Sequence, residues 1–152
     1  MKILGQHYRT IWLKKDNQSI IQVIDQRKLP FIFEVLDLKD TTDAYLAIKD
    51  MAVRGAPLIG ITAAWGMYLG LLEYENGNLE SHIKKTATYL KSARPTAVNP
   101  GFMVDKILSF ILKEKSNENL IEKTREKIFS LENYEVSCGE KIGNFGFELI
   151  KN

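Results

Sequence analysis

The 152-residue chain contains one cysteine, Cys138, and two histidines, His7 and His82. A single cysteine excludes an internal disulfide and a cysteine-rich zinc site, and neither histidine has a partner at metal-ligand spacing. We therefore expect no metal site, and without an oxidising signature we expect a cytoplasmic protein. Cys138 lies in a predicted helix without a nearby histidine, which favours a small buried hydrophobe over a nucleophile.

The chain also has little excess of charge of either sign and no long apolar run. The 21 Lys and Arg residues against 19 Asp and Glu leave a net charge of +2, which is too small to predict attraction to nucleic acid. The most apolar segment, residues 57–72, is shorter than the ~20 residues that a membrane span needs, and the polar first residues do not resemble a secretory signal. We therefore expect neither a nucleic-acid partner nor a membrane partner.

The composition, 45% hydrophobic and 26% charged, is typical of a globular domain. Three runs of β-branched and aromatic residues predict strands near the start of the chain, at residues 8–13, 19–24 and 31–38. After Asp40, which together with Thr41 is a candidate helix cap, the apolar spacing changes to that of helices. The predicted fold class is α+β, with a small antiparallel three-stranded sheet in a subdomain at residues 1–39. A bundle of about five or six helices follows at residues 40–152.

The predicted helices differ in character along the bundle. Their expected ranges are residues 40–51, 57–74, 79–93, 102–115 and 117–151, and the pattern leaves open a break in the last one near Cys138. Gly60, Gly66 and Gly70 each cost ~1 kcal/mol relative to alanine inside a helix. That cost is easiest to understand where another backbone approaches closely, so we place the helix at residues 57–74 in the middle of the bundle.

Residues 53–57, with the sequence Val-Arg-Gly-Ala-Pro, are the first candidate binding segment. Gly55 allows an unusual backbone conformation, and Ala56 and Pro57 open the next helix, where free N–H groups point outward. Arg54 adds a cationic group with forked donor geometry. This combination is typical of a phosphate or sugar-phosphate cradle. The alternative is that these residues are only helix stop and start signals, in which a glycine ends one helix and a proline begins the next.

Residues 94–99, with the sequence Arg-Pro-Thr-Ala-Val-Asn, are the second candidate. Arg94 stands beside a rigid proline, and Thr96 and Asn99 are further hydrogen-bonding groups. The alternative is a rigid loop over residues 93–101 in which Asn99 caps the following helix. Two arginines on loops joined to one buried helix favour a two-pronged phosphate clamp.

Three segments resemble a known family in their order and spacing: residues 24–30 (IDQRKLP), 54–60 (RGAPLIG) and 94–99 (RPTAVN). They are similar to the N-terminal half of the methylthioribose-1-phosphate isomerases. This family shares a superfamily with ribose-1,5-bisphosphate isomerase and the regulatory subunits of translation initiation factor 2B. Residues 141–150 resemble the helix that precedes the second domain of the family. The resemblance implies that the substrate phosphate and sugar are contacted by Arg54, Gly55, Ala56 and Arg94.

The resemblance also implies a reaction, the isomerisation of an aldose 1-phosphate to a ketose 1-phosphate in methionine salvage. The assisting cysteine and aspartate of the family lie in a C-terminal Rossmann-like domain without a counterpart in these residues. Cys138 precedes the family's Cys-Asn-Ala-Gly segment, so the resemblance assigns no catalytic residue here, and we expect no cofactor. Residues 100–102 (Pro-Gly-Phe) stand where the family usually has bulkier apolar residues.

The function expected from the resemblance is sugar-phosphate binding for an isomerase that converts 5-methylthioribose 1-phosphate to 5-methylthioribulose 1-phosphate. We expect this chain to be inactive alone, because binding ground state and transition state equally does not accelerate a reaction. The expected partners are a phosphorylated pentose and either a second copy of the chain or a second chain that carries the C-terminal domain. The alternatives are a helical interaction module of the initiation factor 2B type without catalysis, and an inherited fold without activity.

Overall fold

The computed structural model describes residues 2–3 and 5–151. In this part of the chain five short strands precede five helices. The strands are β1 (Lys2–Ile3), β2 (Gln6–His7), β3 (Ile11–Leu13), β4 (Ile21–Ile24) and β5 (Val35–Leu38). The helices are α1 (Thr41–Lys49), α2 (Ala56–Leu72), α3 (Leu79–Ser92), α4 (Val98–Glu114) and α5 (Leu120–Ile150).

Strands β3, β4 and β5 form an antiparallel sheet in that order. Val23 of the central strand lies opposite Ile11 on one side and Leu36 on the other, and the inward-facing residues join the helices in one hydrophobic core. The α+β class, with a three-stranded antiparallel sheet followed by a helical bundle, is therefore confirmed.

The strands are shorter than predicted, most clearly in the third. The amides of Phe31 and Ile32 both donate to the carbonyl of Lys28, at 3.1 and 3.0 Å. These local bonds form a turn, so the strand begins at Val35 instead of Phe31, and the Phe31 side chain is 92% exposed. A separate two-stranded ladder, β1 with β2, was not predicted by the sequence pattern.

Helix α1 begins as the sequence predicts. Its N-cap is Asp40, whose Oδ1 accepts from the Asp43 amide at 2.7 Å, and Asp43 Oδ2 accepts from the Lys39 amide at 2.9 Å. This reciprocal arrangement satisfies two backbone donors near the start of the helix.

Helix α4 begins four residues earlier than predicted. It starts at Val98 with Ala97 as N-cap, and no side chain caps it. Pro100 occupies the third helical position, where an amide would have no intrahelical partner, so the proline does not exclude the helix. The predicted loop over residues 93–101 is therefore too long, and the alternative in which Asn99 caps the helix does not hold, because Asn99 lies inside it.

Helix α2 lies in the middle of the bundle and packs against the other four helices. Every residue from Ile59 to Leu71 is buried. A Cβ atom built on Gly60 would lie 3.0 Å from Met103 Cγ, and one on Gly66 would lie 2.8 Å from Leu90 Cδ2. The glycines thus let α4 and α3 approach closely, as the sequence indicated, although side chains make most of the contacts.

Helix α5 is continuous through Cys138, so it contains no break there. Its buried residues end at Glu132, and the following segment, residues 133–150, has no buried residue. We call this segment the α5 arm; at 1.5 Å per residue its length is about 27 Å. Its exposed large apolar side chains are Tyr134, Val136, Ile142, Phe145, Phe147, Leu149 and Ile150. None of the described helices combines the length and hydropathy required to cross a membrane.

Candidate functional site

Helices α2 and α4 begin beside one another and open onto a shared cavity of about 360 Å³. Neither helix has a side-chain cap, and both carry a proline in the first turn. The first amides of a helix have no intrahelical partners, and they concentrate the positive end of the helix dipole. Two such ends therefore meet at one cavity, which is lined by Gly55, Ala56, Ile59, Arg94, Ala97, Val98, Asn99 and Pro100.

Gly55 is the N-cap of α2 and has φ 87° and ψ 133°. A positive φ favours glycine, because a side chain at such a position is strained. A Cβ built on Gly55 meets no atom within 4 Å, so the requirement for glycine here is conformational and not steric. The residue turns the chain from the end of α1 into α2 and leaves the start of α2 open to the cavity.

Arg94 follows helix α3 and is half-buried at the edge of the cavity. The Ala97 amide donates to the Arg94 carbonyl at 3.0 Å. This turn holds the Arg94 backbone next to the start of α4, and Arg94 lines the cavity together with the two helix ends.

Arg54 is exposed and lies outside the residues that line the cavity. Its Nε donates to the Met51 carbonyl at 3.3 Å, near the long limit for a hydrogen bond. The structure thus brings together three of the four residues indicated by sequence, namely Gly55, Ala56 and Arg94. Arg54 would need to rotate away from Met51 to reach a ligand in the cavity.

The sequence analysis included residues 94–99 as a candidate binding segment but missed that Val98 and Asn99 begin a helix. Ala97, Val98 and Asn99 line the cavity together with Arg94, whereas the sequence pattern predicted a loop for them. Pro100 could have indicated the earlier start of α4, since proline is well tolerated in the first turn of a helix.

Arg94 is the single charged residue among those that line the cavity, and no carboxylate, histidine or cysteine is among them. The cavity is therefore electropositive and suits an anion such as a phosphate group. Its lining offers hydrogen-bond donors but no group for general acid–base chemistry. Within the described residues no cluster of His, Cys, Asp or Glu is placed to hold a metal ion.

Cys138, Asp25 and Asp37 are not among the residues that line this cavity. Cys138 is on the α5 arm and only half-buried, so the expectation of a buried hydrophobe is wrong; the arm has no core around it. Hydrogen bonds from Arg27 lower the pKa of the buried Asp25. Hydrogen bonds from Lys14 and Gln22 lower the pKa of Asp37. These shifts arise from structural ion pairs at the sheet.

The sequence and the fold both match known proteins. Residues 52–152 match the initiation factor 2 subunit family. The methylthioribose-1-phosphate isomerase of Desulfatibacillum aliphaticivorans is 37% identical over 152 residues, which is 99% of this chain and 41% of that protein. The enzyme of the same name from Thermotoga neapolitana is 39% identical over 132 residues, 87% of this chain and 38% of that protein.

Two solved structures share the fold. The delta subunit of translation initiation factor eIF-2B from A. fulgidus superposes with a TM-score of 0.83 and 34% identity, over 95% of this chain and 42% of that chain. The 5-methylthioribose 1-phosphate isomerase from Pyrococcus horikoshii OT3 superposes with a TM-score of 0.78 and 30% identity, over 92% and 40%. The chain therefore spans about two fifths of the length of these relatives.

Proposed function

Because the chain belongs to the initiation factor 2 subunit family, we propose that it is the sugar-phosphate-binding part of an aldose–ketose isomerase. Its substrate would be 5-methylthioribose 1-phosphate, the compound in the names of its relatives. The observation that carries this proposal is the electropositive cavity at which α2, α4 and Arg94 meet.

In this proposal the amides that begin α2 and α4 donate to the phosphate oxygens, and Arg94 pairs with the same group. A hydrogen bond to a charged group contributes about 1.5–3 kcal/mol. Gly55 and Ala56 allow the ligand to approach the backbone closely, and Arg54 closes on the sugar phosphate after leaving Met51. These contacts hold the ligand but distinguish little between its ground state and its transition state.

Moving a proton between C1 and C2 of the sugar requires an acid or base, which the cavity lining does not contain. Such proton transfer contributes about 10²–10⁴-fold to a reaction rate. In this proposal the groups come from a second polypeptide or a further domain, which also covers the apolar side chains of the α5 arm. The chain by itself then binds the substrate and does not turn it over.

A second candidate function is an interaction module without small-molecule chemistry. The resemblance to the eIF-2B delta subunit and the exposed apolar α5 arm support it. In that case the cavity would be an inherited feature, and neither Arg54 nor Arg94 would affect binding of a protein partner.

Calorimetric titration with 5-methylthioribose 1-phosphate distinguishes the two candidates. We expect binding by the chain, and a loss of affinity of about 10–140-fold in Arg94→Met, the equivalent of 1.5–3 kcal/mol. Lys113→Met is the matched control, because Lys113 is an exposed cation at the opposite end of α4; its affinity should be unchanged.

Two results would contradict the assignment. One is the absence of any phosphosugar binding, and the other is an affinity unchanged by Arg94→Met. The same preparation tested for ketose formation should show no turnover, and turnover by the chain alone would show that it holds an acid–base group. The interaction module is favoured if the chain binds a protein partner equally well with and without Arg94→Met and does not bind the phosphosugar.

A further inference from the structure

A second cavity, of about 500 Å³, lies between residues 7–11, the beginning of α2 and the middle of α5. From α2 it is lined by Pro57, Leu58 and Ile61, whereas the electropositive cavity is lined by Ala56 and Ile59. At 100° per residue these two sets lie on opposite faces of α2. The second cavity is therefore separate from the electropositive cavity.

Glu132 of α5 lines this cavity and is only 5% exposed. Its Oε1 accepts from Arg9 Nη1 at 2.7 Å. Its Oε2 is buried and has no hydrogen-bond partner among the described residues. A buried acceptor without a donor is unfavourable, and more so when it is charged, so this oxygen favours a ligand that brings a donor.

Arg9 does not supply that donor. Its Nη1 is engaged by Glu132 Oε1, and its Nη2 donates to Asn133 Oδ1 at 3.1 Å. The guanidinium group thus bridges two neighbouring residues of α5 and leaves Oε2 unpaired. A single unpaired oxygen suits a point donor better than a forked one, because a guanidinium ligand pairs best with both oxygens of a carboxylate.

The charges that face this cavity are predominantly negative. Glu132, Glu135 and Glu140 contribute three carboxylates from α5, and Arg9 contributes one cation. The remaining titratable groups in its lining are His7 and Tyr8. The floor is apolar and includes Ile11, Leu58 and Ile61. The site therefore combines a surplus of negative charge with a surface on which a hydrocarbon chain can lie.

We propose that this cavity binds a primary ammonium ion carried on an unbranched aliphatic chain. The ammonium group donates to Glu132 Oε2, and the chain packs on Ile11, Leu58 and Ile61. The volume lies within the ~300–1,000 Å³ that is usual for small-molecule sites. Glu135 and Glu140, at the rim, attract the cation over a longer range, and salt weakens that attraction.

Three probes of equal length test the chemistry: n-pentylamine, 1-pentanol and pentanoate, titrated at low ionic strength while the backbone amides are followed by NMR. We expect pentylamine to shift the amides of the lining residues. Pentanol should bind at least about 10-fold more weakly, the ratio that one charged hydrogen bond represents, and pentanoate should not bind. Equal binding of pentanol and pentylamine, or no binding of pentylamine, would overturn the proposal.

Nα-acetyl-lysine N-methylamide presents the same ammonium group from a peptide. If it binds more tightly than pentylamine, the natural source of the ammonium group is a protein lysine. If it binds more weakly, the source is a free amine. Both results support the site.

Glu132→Gln should weaken pentylamine binding by about 10-fold or more, and its fold is checked by circular dichroism. Glu126→Gln is the control, because Glu126 is exposed on the same helix and outside the cavity. The double variant E135Q/E140Q leaves the buried contact to Arg9 in place and should reduce both the affinity and its salt dependence. If E132Q binds as well as the parent chain, or if E132Q does not fold and the rim variant binds unchanged, the proposal fails.

Discussion

Substituting Gly70 with alanine tests the close packing that makes α2 the centre of the bundle. A Cβ atom on Gly70 would lie 2.5 Å from Thr86 Cγ2 and 3.0 Å from Thr41 Oγ1. Carbon atoms in favourable contact are about 3.5–4.0 Å apart. The new methyl group is therefore about 1 Å too close to a β-branched side chain of α3.

Neither neighbour is free to withdraw. Both the amide and the hydroxyl of Thr41 donate to the carboxylate of Glu73, at 2.6 and 3.0 Å. Thr86 Oγ1 donates to the His82 carbonyl at 3.2 Å. Relief of the clash therefore requires breaking these bonds or shifting α3.

Two opposing effects set the size of the change. Alanine is favoured over glycine in a helix by ~1 kcal/mol, whereas overpacking costs ~1–3 kcal/mol. Because both neighbours of Gly70 are held, we take the upper part of that range. The expected net loss is ~1–2 kcal/mol in the free energy of unfolding, a large share of the ~5–15 kcal/mol of a typical domain.

Urea unfolding followed by circular dichroism measures this loss. Gly101→Ala is the matched control, because a Cβ on Gly101 in α4 meets nothing within 4 Å; it should raise stability by up to ~1 kcal/mol. Thr86→Ala in the Gly70→Ala background removes the clashing atoms of Thr86, which include the closest one, so the double-mutant cycle should show a favourable coupling of ~1 kcal/mol. The reasoning would be refuted if Gly70→Ala were as stable as the parent chain. It would also be refuted if the effects of the two substitutions on the free energy of unfolding simply added in the double variant.

Two further predictions concern the sheet and the α5 arm. The lowered pKa of Asp25, caused chiefly by its hydrogen bonds from Arg27, stabilises the fold above the unfolded value near 4, and this stability is lost as the pH falls through the folded pKa. Urea unfolding at pH 7 and pH 3.5 measures how much of the free energy of unfolding is lost in acid. This loss should be smaller in Asp25→Asn than in the parent chain or in the exposed control Asp16→Asn. Equal losses in all three would contradict this account. Deleting residues 141–152 should leave the Tm of the bundle unchanged while lowering helical ellipticity, because no described residue after Glu132 is buried; a fall of several degrees would show that the arm contributes to the core.

Much of the architecture follows from local patterns. The Asp40 cap, the apolar spacing of the helices and the glycines of α2 each act within a few residues, so the sequence predicts them directly. The positive φ of Gly55 belongs to the same class. Strand ends were less predictable, since the turn that removes Phe31 from β5 depends on which carbonyl its amide reaches.

The meeting of distant groups depended on tertiary structure. The sequence alone determined the α+β class, the central position of α2 and the conformational role of Gly55, because propensity, periodicity and capping operate over one or two turns. Only the folded chain decided that α2 and α4 begin at one cavity, that Arg94 lines it while Arg54 lies outside, and that an oxygen of Glu132 is buried without a partner. These depend on how helices far apart in sequence cross and pack, and close packing of side chains determines that geometry.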